Sequence, residues 1–221
     1  MDEIAFTLLD WARGPGLDIA AVIFVLGIAL RLGEIAYIGR KPNLAPARGN
    51  ALSQGLTTMF TRSVPAPGMV KRAPAIHIGG WVFHIGFVLV VLFYSAHMRV
   101  FDDWFFVPWS RWPSDFIALI ALITMVALVV LLLTRVLHPV RRKISTLGDY
   151  AVWALTFAPL VTGYISAHDL TDAPALMKAL HILSAELLMV AFPFTKLMHG
   201  VTTFAARYYN GAIQGHKGAK S

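Results

Sequence analysis

Two histidines, His181 and His199, stand 18 residues apart in one apolar stretch, 176–204. That spacing is about five helical turns, so an unbroken helix would turn both imidazoles to one face, about 27 Å apart along its axis. This nearly spans the hydrocarbon layer of a bilayer. Imidazole is an axial ligand for haem iron, and ionisable side chains inside a membrane are costly unless they are used. Two same-facing histidines near opposite membrane surfaces therefore predict two stacked haems, with a path for electrons between them.

Axial ligation by two imidazoles needs a second histidine at matching depth on a facing helix. The second apolar stretch supplies His77, His84 and His97. It runs outward while the fifth runs inward, so residues early in one meet residues late in the other. His84 follows the basic Arg72 by 12 residues and His199 precedes Arg207 by 8, which pairs them on the cytoplasmic side. His97 and His181 pair on the outer side. His84 and His97 are 13 residues apart and would point about 140° away from each other on a straight helix. A kink or tilt must accommodate that. His77 shares a face with His84 but lies only about 10 Å away along the axis, too close to match the fifth span. A structural hydrogen-bonding role is the alternative for each of these rings. His138, His168 and His216 fall in loops or the tail and read as solvated.

The elements that must position these rings are five apolar runs: 17–38, 76–96, 116–133, 150–167 and 176–204. Each is long enough to span a membrane as a helix. The chain has 221 residues, 57% hydrophobic and only 14% charged, so the spans account for most of it and a separate soluble domain is not expected. The expected fold is an all-α five-transmembrane-helix bundle forming one integral-membrane domain, 1–221. The net charge of +7 is a matter of topology rather than nucleic-acid binding. The loop 39–74 carries Arg40, Lys41, Arg48, Arg62, Lys71 and Arg72. The second basic loop carries Arg135, Arg141, Arg142 and Lys143, and the tail carries Arg207, Lys217 and Lys220. The opposite connections hold Asp2, Glu3, Asp10, Asp102, Asp103, Asp115, Asp169 and Asp172. By the positive-inside rule the amino terminus is outside and the carboxyl terminus is cytoplasmic. The start, Met1-Asp2-Glu3, lacks a basic n-region, so the first span reads as a retained anchor.

There is no cysteine, which excludes disulfides and cysteine-held iron–sulfur clusters within this chain. The sequence also lacks His-Glu-x-x-His, clustered histidine boxes and a phosphate-cradling glycine loop. The outer connection, 98–115, is crowded with Phe101, Trp104, Phe105, Phe106, Trp109 and Trp112. It reads as an interfacial aromatic belt. The sharper alternative is a wall of a quinone pocket, with Asp102, Asp103, Arg111 or Asp115 as polar partners. The loop 39–74, rich in Pro, Gly and Arg and ending in Pro65, Pro67 and Pro74, is either a docking surface for a soluble subunit or a lipid-headgroup contact.

Glu186 is the other ionisable group within the fifth span, either a proton carrier or a neutral acid hydrogen-bonded between helices. Arg31 and Lys196 either meet haem propionates or snorkel to the interface. Gly79, Gly80 and Gly86 border His84 and serve either helix packing or the approach of a flat haem. Pro193 is expected to kink the fifth span just before His199.

Several local motifs carry a resemblance over nearly the whole chain. Gly27, Leu30-Arg31, Tyr37 and Arg40 stand in the first span, and Phe83-His84-Ile85-Gly86 in the second. Pro139, Arg141 and Thr146-x-Gly148-Asp149 precede the fourth. His181 and Phe192-Pro193-Phe194-Thr195-Lys196-Leu197-Met198-His199 fill the fifth, and this last motif is the most specific. Together they resemble the gamma subunit of membrane-bound respiratory nitrate reductase and its wider family of dihaem cytochrome b membrane subunits. The resemblance implies two haem b groups ligated from the second and fifth spans. It assigns His84 and His199 to the cytoplasmic-side haem and His181 to the outer one. It also implies quinol oxidation at the outer side, with electrons passing inward to an iron–sulfur subunit and a catalytic subunit. Two departures stand out. The family's remaining second-span ligand would fall at Tyr94, ten residues after His84, so His97 is the substitute unless the outer haem is lost or differently ligated. The loop 39–74 is also longer than in the nitrate enzyme, which opens the partner to sulfur or heterodisulfide metabolism.

The chain is thus expected to be the electron-transfer subunit of an oxidoreductase complex in a bacterial or archaeal cytoplasmic (inner) membrane. It would exchange electrons between the quinone pool and a cytoplasmic iron–sulfur partner, in either direction. The rival expectation is a haem-free membrane transporter or assembly factor whose histidines carry protons.

Overall fold

A computed structural model describes residues 2–38, 44–66 and 68–219. Gly39, Arg40, Lys41, Pro67 and Lys220, named above, lie outside the described residues, and so does the side chain of Asp2. Among the described residues the chain is predominantly helical, with no strand. Five helices are long and apolar enough to cross a membrane: Glu3–Tyr37, Pro74–Phe93, Ser114–Leu137, Leu147–Ala167 and Pro174–Phe194. Large apolar side chains face outward along them, Val25 at 62% and Leu26 at 63% exposure among others. Water would penalise that arrangement, whereas hydrocarbon tolerates it provided that backbone polar groups are satisfied within the helices.

The helices are α1 (Asp2–Trp11), α2 (Leu17–Tyr37), α3 (Ala51–Thr61), α4 (Met69–Arg72), α5 (Pro74–Phe93), α6 (Ser95–Trp104), α7 (Ser114–Leu137), α8 (Pro139–Ile144), α9 (Leu147–Ala167), α10 (Pro174–Ala191) and α11 (His199–His216). They fall into two compact units. One holds the residues up to Asp18 and Lys71–Leu188, and the other holds Ile19–Val70 and the residues from Met189 onward.

In the first unit α5, α7 and α9 pack around Met125, Leu128 and Leu160, with Phe83, Phe87, Trp153 and Phe157 against them. The Trp153 indole N–H donates to Leu128 O at 2.9 Å, which ties α9 to α7. Gly86 settles against Thr124, and Gly79 lies in ordinary contact range of Leu131 on α7. These two glycines therefore serve helix packing. The Thr146–Asp149 motif is a capping box that starts α9: the Thr146 N–H donates to Asp149 Oδ2 at 2.8 Å. Asp149 also lies 3.5 Å from the Arg135 guanidinium.

Three expectations need correction. The helical run that holds the first crossing starts at Glu3 rather than near 17, because α1 leads into α2 across a kink at Ala12–Gly16, where Gly14 is non-helical (φ −105°, ψ −108°) just before Pro15. The second helix stops at Phe93, not 96: Tyr94 is extended, with φ −73° and ψ 130°, and α6 begins anew at Ser95. The fifth is not one helix over 176–204. Pro193 and an extended Thr195 (φ −122°, ψ −177°) break it into two short 3-10 turns, and α11 restarts at His199. The same-face argument for His181 and His199 assumed continuous 3.6-residue periodicity, and the break removes that premise.

In the second unit the segment expected as loop 39–74 contains a true helix. Asn50 caps α3, its side chain accepting from Ser53 N at 2.9 Å. Helix α3 lies against α11 so closely that a Cβ on Gly215 would come within 2.6 Å of Asn50 O, and one on Gly55 within 2.7 Å of the Tyr208 ring. Gly211 and Gly215, four residues apart, form the small-residue face that permits this approach. Arg207 donates to Ser63 Oγ at 2.7 Å, and His216 Nε2 donates to Ala45 O at 2.9 Å. The segment is thus held along α11 by several bonds.

Candidate functional site

The break at Tyr94 decides where His97 points. A helix end normally leaves its last carbonyls without donors. Here the outer aromatic segment folds back over the end of α5 and supplies them. The Trp109 indole N–H donates to Leu92 O at 2.8 Å, and the Trp112 backbone N–H donates to Phe93 O at 3.2 Å. The Trp112 ring stacks on Phe93 with centroids 4.5 Å apart. His97 lies beside them, its Nδ1 donating at 3.1 Å to Val90 O, which also accepts from the Tyr94 N–H at 3.3 Å.

That geometry brings His97, on α6, to His181, on α10. Their ring centroids are 6.0 Å apart and their planes differ by 24°. His181 in turn donates from Nδ1 to Pro159 O on α9 at 3.0 Å, with Thr162 Oγ1 at 3.4 Å and linked onward to Ser184. A carbonyl can only accept, so both rings carry their proton on Nδ1 and their lone pair on Nε2. Burial holds the His97 pKa below the ordinary imidazole value, against the opposing pull of the Val90 and Val91 carbonyls, so the ring is neutral near pH 7. Gly163 makes room for the partner: a Cβ there would stand 2.8 Å from His181 Cε1.

The same tautomer recurs at the other two candidate ligands. His84 Nδ1 donates to Gly80 O at 2.7 Å, and its ring meets Phe83 edge-on. His199 Nδ1 donates to Lys196 O at 2.7 Å. His84 belongs to the first unit and His199 to the second.

A ligating histidine commonly fixes its orientation in this way, by giving its other N–H to a carbonyl. Metal–imidazole bonds are about 2.0–2.1 Å, so two axial nitrogens stand about 4 Å apart and the ring centres behind them about 6 Å apart. The His97–His181 separation fits that requirement, and so does the donor set. Among the described residues no group of three or more His, Asp or Glu could hold a metal ion. Two imidazoles are what an iron already bound by four porphyrin nitrogens still needs.

Other expected site residues are not gathered. Asp102, Asp103 and Arg111 are exposed, and no ion pair or hydrogen bond joins them. Arg31 is engaged within the second unit: its Nε donates to Pro193 O at 3.2 Å and it pairs with Glu34 at 2.7 Å. It thereby satisfies a carbonyl at the break. Glu186 is 6% exposed, and its Oε1 has no hydrogen-bond partner.

The fourth span's part was not visible beforehand. Pro159, Thr162 and Gly163 orient His181, and the only sequence signal for it was a proline and a glycine four residues apart in an apolar run. The capping role of Trp109 and Trp112 lay hidden under their plausibility as an aromatic belt.

No protein-family model matches the chain, and no solved structure does. A protein of Nitratidesulfovibrio vulgaris strain Hildenborough, described only as "Protein", is 28% identical over 192 residues, or 87% of this chain and 82% of that one.

Proposed function

We propose that this chain is a membrane-anchored b-type cytochrome, the subunit of a respiratory complex that exchanges electrons between the quinone pool and a cytoplasmic iron–sulfur partner. The observation that carries the reading is the His97–His181 pair. Two rings from different helices stand 6.0 Å apart, and each has its Nδ1 committed to a backbone carbonyl. His97 and His181 would hold one haem through Nε2, while His84 and His199, with the same tautomer, are the ligands proposed for a second. Bound there, haem b supplies a one-electron redox centre. The chain's own residues do the rest: Val90, Pro159, Gly80 and Lys196 fix the tautomers, and the apolar helices keep water from the iron.

The acidic connections and basic loops support an outside amino terminus and a cytoplasmic carboxyl terminus in a bacterial or archaeal inner membrane. On that orientation the α3–α11 platform, with Arg48, Arg62 and Arg207, lies on the cytoplasmic side, where an iron–sulfur subunit and its catalytic subunit would dock. The motifs shared with the nitrate reductase gamma family support the same assignment. An optical spectrum of the purified, iron-replete protein tests it. Reduced-minus-oxidised b-type bands are expected. Their absence refutes the reading and favours a haem-free carrier.

A further inference from the structure

Glu186 is not used by the proposed electron path, yet it is the most unusual group in the first unit. It is an acid in the middle of a membrane-crossing helix, 6% exposed, and its Oε1 is without a partner. Buried polar atoms in folded proteins nearly always find partners, so an orphaned carboxylate oxygen points to a proton or a transient donor. The element that approaches it is irregular. The kink at Ala12–Gly16, where Gly14 is non-helical, brings Gly16 so near that a Cβ there would stand 2.9 Å from Glu186 Oε1. Glu186 also sits five residues after His181 on α10, a rise of about 7.5 Å with the two side chains about 140° apart around the helix.

We infer that Glu186 is a redox-linked protonation site, taking up a proton when the centre held by His97 and His181 is reduced and releasing it on oxidation. This rests on the cytochrome reading above. The balance is one electron and one proton. The electron, from a quinol or from dithionite, would be taken up by the haem that His97 and His181 would hold, and the proton, from water, would form the O–H bond on the Glu186 carboxylate. Reduction removes one positive charge from the neighbourhood of a buried anion, which favours the neutral acid. A unit charge about 14 Å away at an effective dielectric of about 20 changes a proton affinity by roughly sevenfold.

Nothing nearby competes for the role. Asp10, Arg13 and Asp18, on the segments around the kink, are exposed. Helix α9 brings Tyr150 and Tyr164, with Asp149 already paired to Arg135. Helix α6 brings His97, and α10 itself carries Lys178 and His181. None is hydrogen-bonded to Glu186 Oε1.

The test is a redox titration of the purified haem-loaded protein across neutral pH, wild type against Glu186→Gln, following the component that His181→Leu abolishes. In the wild type its midpoint should fall with rising pH, by about 50 mV in all for a roughly sevenfold difference in proton affinity between the two redox states. In Glu186→Gln that slope should flatten, while the other haem's slope stays as it was. Redox difference infrared spectra of the wild type supply a readout that needs no variant: a carboxylic C=O band that appears on reduction and shifts in heavy water. A wild-type slope preserved in Glu186→Gln, or no such band in the wild type, overturns the inference and leaves the cytochrome reading standing. A wild type without haem bands removes both.

Discussion

Substituting Gly163 by alanine should cost the chain one haem, although Gly163 itself touches no metal. The added Cβ would stand 2.8 Å from His181 Cε1 and 3.0 Å from its Nδ1. Carbon atoms in comfortable contact are about 3.5–4.0 Å apart, so the ring must retreat by roughly 0.7 Å or more. The Nδ1···O distance to Pro159 is 3.0 Å, and a further 0.7 Å ends that hydrogen bond. Crowding of this kind costs about 1–3 kcal/mol. Losing the outer hold on a ligating histidine typically weakens metal affinity about 10–100-fold, the same size when expressed as energy. The assay is haem per polypeptide by pyridine haemochrome, at limiting and then saturating haem supply. The stoichiometry should fall toward one at limiting haem and partly recover at saturation. Gly33→Ala is the control, since a Cβ there meets nothing within 4 Å. If Gly163→Ala keeps both haems with unchanged spectra at limiting supply, the placement of His181 as a ligand is wrong.

Single replacement of His97 or His181 by leucine should remove the same spectral component, and replacement of His84 or His199 should remove the other. Four variants that each retain full haem content would refute the pairing. Gly215→Leu should separate α3 from α11, because its Cβ would meet Gln54 Cβ at 2.5 Å and Asn50 O at 2.6 Å. A loss of about 1–3 kcal/mol is expected, read as faster proteolysis within 44–64 at an unchanged haem spectrum. Trp109→Phe keeps the ring but leaves Leu92 O without its side-chain donor, at about 1–3 kcal/mol. Its melting temperature should fall, and the His97-dependent haem signal should broaden first.

Much of the architecture was legible because membrane helices announce themselves by length and apolarity. All five crossings were found, and the ends that Pro74, Pro139 and Thr146 mark lie close to where they were expected. What failed was extrapolation through a break. The 18-residue spacing of His181 and His199 suggested a shared face, but periodicity fixes a direction only where every residue keeps helical dihedrals, and Thr195 does not. The calculation that set His84 and His97 about 140° apart was sound, and it correctly demanded a distortion between them. The sequence did not say where, since Tyr94 is neither proline nor glycine. The amphipathic α3 was overlooked because the prolines and arginines around it dominate the composition of the segment.

The breaks and the histidines are one device. A break frees carbonyls, and each orphaned carbonyl at membrane depth costs several kcal/mol unless a donor is found. After α5 the donors are Trp109, on Leu92 O, and the Trp112 backbone, on Phe93 O; after α10 Arg31 supplies Pro193 O. In both places an imidazole just beyond the break adds its Nδ1 to a carbonyl that already accepts a backbone N–H, Val90 O from Tyr94 and Lys196 O from His199, and in doing so commits its lone pair to Nε2. The defect that re-aims the ring therefore also selects the tautomer able to bind a metal. His84 and His181, within unbroken helices, reach the same state through Gly80 O and Pro159 O, and there a glycine rather than a break supplies the space around His181. Four rings arriving at one tautomer by two structural routes is hard to attribute to packing alone, since packing is indifferent to which nitrogen keeps its lone pair.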